Sequence, residues 1–355
     1  MRKLSIASVL YIVSFSAFSS NQFIEFETEL PGPSRDINNN YVVGWMNTDF
    51  SHSPYRYNIR TESLESLNIT SGNSMSINNA NDIALTLCNP TCTPSIWKES
   101  GETIEIHDIN LSINNYLSSK HSDFVVVEIE VSDLNNSGDL VGEAKVYADN
   151  TPFNIGWSYI NGHAAVMNTH DSDWMTVKSI SNSKKISGSE RSEDYDYQPK
   201  IWKTNGEEHI LHLQNSSKYE YSDALTSANN QVGGVIGLTP VIWNDDSVEF
   251  INVEKINGIT GGKTLKFYNN GSAYIGGTYA GSGYVPLILS KDRSEVLNLF
   301  GALSSHLQLE VSSSTPVSDN MKNIAAGYFI GGTYYQKFFK LNINELNNEF
   351  IIPMS

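Results

Sequence analysis

Asp133-Leu134-Asn135-Asn136-Ser137-Gly138-Asp139-Leu140-Val141-Gly142 reads as an apolar residue, an asparagine-rich turn and a short apolar strand closing on glycine. The chain returns to this pattern six more times. The other units are Ile37-Asn38-Asn39 running to Val43-Gly44, Ile77-Asn78-Asn79 to Ile83-Ala84, and Ile180-Ser181-Asn182 to Ser187-Gly188. Further on come Ala228-Asn229-Asn230 to Gly233-Gly234, Tyr268-Asn269-Asn270 to Ile275-Gly276, and Ser318-Asp319-Asn320 to Ala326-Gly327. With the second turn residue as a ruler, the marks fall at 39, 79, 136, 182, 230, 270 and 320, spacings of 40, 57, 46, 48, 40 and 50.

Two more features follow each turn in a fixed order. The first is an apolar strand, usually ending in an aromatic: Tyr55-Arg56-Tyr57, Pro94 to Trp97, His163 to Met167, Pro199 to Trp202, Pro240 to Trp243, Pro286 to Leu289 and Lys337 to Phe339. The second is a shorter apolar pattern, as in Leu64 to Ile69, Ile104-x-Ile106, Trp174-x-x-Val177, Ile210 to Leu213, Val248-x-Phe250, Val296 to Leu299 and Leu341-x-Ile343. Asparagine and glycine suit the turns because a tight hairpin needs positive φ at its centre. The closing glycine allows a neighbouring backbone to approach. Each unit carries an aromatic face that it cannot bury alone, and stacking the units buries it.

A period of 40 to 57 residues with three or four short strands predicts an all-β fold, a β-propeller of about seven antiparallel blades. Six or eight blades are the neighbouring counts that the spacing allows. Phe124 to Val131 and Leu307 to Val311 read as fourth strands. Ring closure would pair Phe23 to Glu29 with the last blade, or bring Glu349 to Pro353 to the first.

The turn with its closing glycine, followed by Gly162-His163-Ala164-Ala165, resembles the bacterial probable extracellular repeat family named for its His-Ala-Phe tripeptide. Ala165 stands where that family has phenylalanine, and other units carry a Pro-x-x-Trp strand instead. Gly233-Gly234, Gly276-Gly277 and Gly331-Gly332, with Tyr284 and Tyr334 downstream, give a weaker likeness to kelch blades. The first resemblance implies a secreted or surface propeller with no catalytic residues to carry over, and both point to the same fold.

Composition agrees with export. Met1-Arg2-Lys3, the apolar run Leu4 to Phe18 and Ala17-x-Ser19 read as a signal peptide over residues 1–20, ahead of a single domain over 21–355. Cys88 and Cys92 flank Asn89-Pro90-Thr91, and a disulfide across so small a loop would stabilise by roughly 2 kcal/mol. A metal or redox pair would need a different spacing and a partner pair. The net charge of −16 makes nucleic acid an improbable partner and leaves neutral sugars, cations or a basic protein patch. No membrane span, cofactor or metal is expected, and the mature chain is expected to be a monomer.

The third unit departs most from the rest, with extra length over Glu143 to Gly162 that brings Trp157 and Tyr159. Flat aromatics among asparagine and glycine suit a sugar ring, so Trp157, Tyr159, His163 and Trp174 form the expected binding set. The alternative is that Trp157 and Tyr159 cap the core of their own blade. Asp133-x-Asn135-x-Ser137-Gly138 resembles half a calcium loop, but Ala144 stands where the bidentate glutamate belongs, so a hairpin is the expectation. His170-Asp171-Ser172-Asp173 and the acidic stretch Glu190 to Tyr197 read as solvated loops. Serine-hydrolase elbows, zinc-protease helices, phosphate loops and sialidase boxes are missing. The function expected is a carbohydrate- or surface-protein-binding module. The alternatives are a glycoside hydrolase or lyase using a central channel, and a structural scaffold.

Overall fold

In the computed structural model, residues 23–354 are described except 48–51, 70, 89–90, 150, 168–173, 192–196, 205–206, 212, 214–220, 229–230, 245–246, 257, 280–283 and 310. The signal-peptide expectation over 1–20 therefore lies outside the described residues. So do His170-Asp171-Ser172-Asp173 and Ser192 to Asp196.

Seven antiparallel sheets form seven blades in a ring. Blade one runs over residues 34–66, blade two over 72–105, blade three over 124–166, blade four over 175–210 and blade five over 222–250. Blade six spans 259–297 and adds a fifth strand, Ile351–Pro353. Blade seven has three strands from residues 311–341, and Ile24–Leu30 supplies its outermost strand. The ring is thus closed by the N-terminal strand on the last blade, as the first closure scheme expected. The C-terminal strand lies on blade six rather than blade one.

Most of the repeat features take the places expected of them. The turn joins the innermost strand to the second, the Pro-x-x-Trp segment is the third strand, and the short apolar pattern is the outer strand. Unit three departs from this scheme. Its third strand is Thr151–Ile160 and His163–Val166 is its outer strand, whereas the segment containing Val177 opens blade four as Met175–Ile180. Phe124–Leu134 is likewise an innermost strand and not a fourth one. In blade seven Leu341-x-Ile343 forms no outer strand, because Ile24–Leu30 already occupies that edge.

The apolar clusters lie between blades. Tyr41 and Val43 of blade one meet Ile77, Ile83, Leu85 and Trp97 of blade two. Val141 of blade three meets Met175, Val177 and Trp202 of blade four, and Ile201 of blade four meets Ala224, Val241 and Trp243 of blade five. Each third-strand tryptophan therefore covers a flank that its own sheet could not bury, which is the stacking logic of a repeat array.

Two helices interrupt the β pattern: α1 (His107–Lys120) between blades two and three, and α2 (Leu299–Leu307) between blades six and seven. Buried Ile109, Ile113 and Leu117, spaced by four, put one face of α1 against the core that blades two and three share. The Asn298 side chain accepts from the Gly301 amide at 2.9 Å and caps α2.

Candidate site in the central channel

Every innermost strand carries a one-residue register shift against its neighbour. Each blade has one such extra residue at Arg35, Met75, Ser132, Lys178, Leu225, Leu265 or Ser312, and blades three and six carry a second at Val127 and Thr260. A bulge leaves one residue unpaired and bends the strand, so its side chain can be re-aimed. Six of the first seven line a central cavity of about 480 Å³, Ser312 being the exception.

The closing glycines follow from the same geometry. A Cβ at Gly44, Gly142, Gly188 or Gly234 would lie 2.0 to 2.1 Å from the carbonyl oxygen of Pro33, Glu130, Thr176 or Asp223 on the bulged strand. Gly142 is doubly constrained, because the Trp157 ring lies 2.3 Å from the same point.

One end of the channel is formed by the turns, and their asparagines act differently from the expectation. The described ruler asparagines do not take positive φ; that role falls to Asn81, Gly138, Lys184, Gly271 and Met321. Asparagine instead caps its own turn and grips the next. The Asn78 Oδ1 accepts from the amides of Ala80 and Asp82, while its Nδ2 donates to the Asn135 carbonyl at 3.1 Å. Asn135 does the same with Ser137 and Asp139 and reaches the Ser181 carbonyl at 3.2 Å. Asn38 reaches the Asn78 carbonyl at 2.8 Å. The backbone amides of Asn79, Asn136 and Asn320 donate to the side chains of Asn136, Asn182 and Asn39, so the belt runs from blade seven through blade four.

Carboxylates join the blades just below this belt. Asp36 accepts from the Ile77 amide of blade two at 3.0 Å, and Asp133 from the Ile180 amide of blade four at 2.9 Å. Ser76 Oγ lies 3.1 Å from Asp36 and 3.0 Å from Asp133. One hydroxyl proton serves both carboxyl groups poorly when both are ionised. Desolvation, with the Asp36 charge adding to it, raises the Asp133 pKa in spite of the hydrogen bonds Asp133 accepts. These bonds also identify the calcium-like stretch as a hairpin, since its oxygens are taken by backbone amides.

Three cationic side chains line the channel among the described residues: Arg35, Lys178 and Lys266. Lys178 contacts Glu143 at 2.9 Å and Lys266 contacts Asp319 at 3.1 Å. Burial opposes the charge of Lys178, but Glu143 and Asp223 outweigh it and raise its pKa. Arg35 lies over the Trp45 ring, 4.4 Å from its centroid, with His52 stacked on the same tryptophan at 5.7 Å. On blades five and six the lining is mixed: Leu225, Leu265 and Phe267 are apolar, with Lys266, Thr226 and Asn269 among them.

The binding set expected from the sequence lies elsewhere. Trp157 is fully buried in the core under Gly142, not exposed, and its indole nitrogen has no hydrogen-bond partner. It matches the alternative reading of a core cap. Tyr159 packs half-buried against the same core, His163 is exposed on the outer strand, and Trp174 makes an isolated bridge to Asn154. None of the four lines the channel. The channel residues went unnoticed because they come singly from separate blades. The signal that could have found them is the inner-strand residue three or four places before the first asparagine of each turn.

Among the described residues no group of three or more His, Cys, Asp or Glu is placed to hold a metal ion. No described helix is long and apolar enough to cross a membrane. Cys88 and Cys92 form the expected disulfide.

No family model and no curated protein matches the chain, so membership of the His-Ala-Phe repeat or kelch families has no support beyond the fold. Solved structures do match. An oligogalacturonate lyase from Vibrio parahaemolyticus superposes with a TM-score of 0.53 at 9% identity, covering 92% of this chain and 93% of that one. An oligogalacturonate lyase in complex with manganese gives 0.50 at 9% identity, covering 88% and 90%. TolB from Acinetobacter baumannii gives 0.42 at 9% identity, and the match spans 72% of this chain but only 62% of TolB. At such identities the likeness is one of fold, a seven-bladed β-propeller.

Proposed function

We propose that the protein is an exported binding module that takes a carbohydrate into its central channel. The observation that carries this reading is the mixed polar and apolar lining of the cavity. Arg35, Asp36, Ser132, Asp133 and Lys178 face Leu225, Leu265 and Phe267 across a cavity of about 480 Å³. A sugar ring has the same duality, with hydroxyls around its rim and apolar C–H faces. The volume falls within the range of about 300–1,000 Å³ typical of small-molecule sites. Two propellers of similar fold are oligogalacturonate lyases, which agrees with a carbohydrate ligand. The Cys88–Cys92 disulfide fits an oxidising compartment outside the cytosol.

A glycan array with the mature protein tests this. The wild type is expected to retain a defined subset of glycans, and Ser132→Trp, which fills the channel from blade three, is expected to lose them at an unchanged melting temperature. A blank array, or retention by the plugged variant, contradicts the reading.

A second reading, glycoside cleavage, has one specific observation in its favour. Asp36 and Asp133 share Ser76, which limits their separation to about 6 Å, inside the roughly 5–9 Å at which paired carboxyl groups cooperate. Against it, oxygens of both groups are engaged by backbone amides. Product release from any glycan on the array, abolished by Asp36→Asn, would establish the enzyme; binding without turnover favours the module.

A further inference from the structure

Resting on the channel reading, we propose that Arg35 is the recognition point for a carboxylate, so that the preferred ligand carries a uronic-acid unit. The three channel cations differ in how they are engaged. Lys178 and Lys266 each have a carboxylate within 3.1 Å, and their charge is largely spent inside the protein. No described carboxylate lies within ion-pair distance of Arg35, whose charge still acts on Glu130 and Tyr334. Glu130 is itself 3.5 Å from Lys145.

Arg35 is also held in a suitable attitude. It is the bulge residue of blade one, outside the ladder between Ser34 and Asp36. Its guanidinium lies over Trp45 at 4.4 Å. Contact through the face of the guanidinium leaves the in-plane N–H groups available, and these match a carboxylate in a two-pronged bond. Desolvation lowers the Arg35 pKa, yet an arginine stays charged at any physiological pH.

Tyr334, outside the cavity lining, lies close enough to Arg35 to feel its charge. Its hydroxyl lies 2.8 Å from Ser313 Oγ, and its ring meets Phe329 edge-on at 5.4 Å. A uronate fits the channel: a planar anion for the guanidinium and a ring face for Leu225 and Leu265. The overall charge of −16 disfavours long polyanions, so a short oligosaccharide is the expected size.

The test uses an array of matched oligosaccharide pairs, each carrying a uronic acid or its uncharged hexose at one position, followed by calorimetry on the best pair. Wild type is expected to favour the acidic member by on the order of tenfold or more, as charge-assisted hydrogen bonds are worth. Arg35→Gln should erase that preference, lowering the acidic member's affinity by about tenfold more than the neutral member's. Arg35→Lys keeps charge without the fork and should retain part of the preference; unchanged near-ultraviolet circular dichroism confirms that Trp45 keeps its setting. Equal affinity for both members, or a preference that survives Arg35→Gln, overturns the assignment to Arg35 and leaves the channel reading intact. Retention of no glycan at all overturns both.

Discussion

Gly142 shows how tightly a single position can be specified. A methyl group there would strike the Glu130 carbonyl at 2.0 Å and the Trp157 ring at 2.3 Å, and neither can withdraw, one being backbone and the other a fully buried indole. Gly142→Ala is therefore expected to cost about 3 kcal/mol, at the upper end for overpacked cores. Denaturant unfolding measures it, and a loss under about 1 kcal/mol would contradict the close approach. Asn78 is expected to matter for another reason, since Asn78→Ala removes the cap of its own turn and the bond to the Asn135 carbonyl. A loss of about 1–2 kcal/mol is expected from chemical denaturation, and Asn78→Gly should recover none of it because φ is ordinary there. The recurrence of asparagine was legible in the sequence, but its reason was not: turn chemistry explains a cap, whereas the grip on the next blade exists only once the ring has closed. Asp133 gives a pH prediction. Its folded pKa is raised, so the folded protein holds this proton more tightly than the unfolded chain does. Its contribution to stability is complete below the unfolded aspartate pKa and is lost as pH rises through the folded value. Carbon-detected titration should place the Asp133 midpoint above that of an ordinary aspartate, and Asp36→Asn should bring it down. A midpoint at or below the ordinary value would contradict the shared-proton arrangement.

Among the elements, the strand Ile24–Leu30 closes the ring. It covers the edge of Thr333–Leu341 in blade seven and places Leu30 in the cluster that also holds Phe338, Ile37 and Tyr55. Deleting residues 23–30 leaves an unpaired edge and an uncovered apolar flank, and exposed edges invite association. Such a truncation is expected to elute as oligomer or aggregate in size-exclusion chromatography and to be cut by protease within blade seven. A monomer with an unchanged melting temperature would mean that the ring does not depend on this closure. The strand was legible as a candidate from its apolar alternation and its place at the chain start. The helices were not. Ile109, Ile113 and Leu117 have helical spacing, but asparagines and serines between them resemble turns, and Leu299 to Leu303 reads equally well as strand. Unit three slipped by one strand because His163 to Met167 imitates the third-strand pattern while the true third strand, Thr151–Ile160, lacks the Pro-x-x-Trp signature.

The whole molecule explains why its candidate site was the least legible part. Seven similar units were visible because every unit repeats the same turn and the same apolar strand. The channel is built from the positions at which the units differ: Arg35, Met75, Ser132, Lys178, Leu225 and Leu265 occupy equivalent bulges with unlike chemistry. The repeat supplies the frame, and departures from it supply the polar and apolar walls. No local motif can announce such a site, and conspicuous aromatics such as Trp157 draw attention to the core instead. Blade-to-blade bonds run through the asparagine belt and through the channel residues Asp36, Asp133, Lys178 and Lys266. The most direct test is a crystal structure of the protein with the tightest-binding oligosaccharide from the matched array. The account expects the sugar inside the ring at the level of the bulges, its apolar face toward Leu225 and Leu265 and its carboxylate on the Arg35 guanidinium. A sugar seated on the outer strands, around Trp174 and His163 or elsewhere away from the channel, would contradict it.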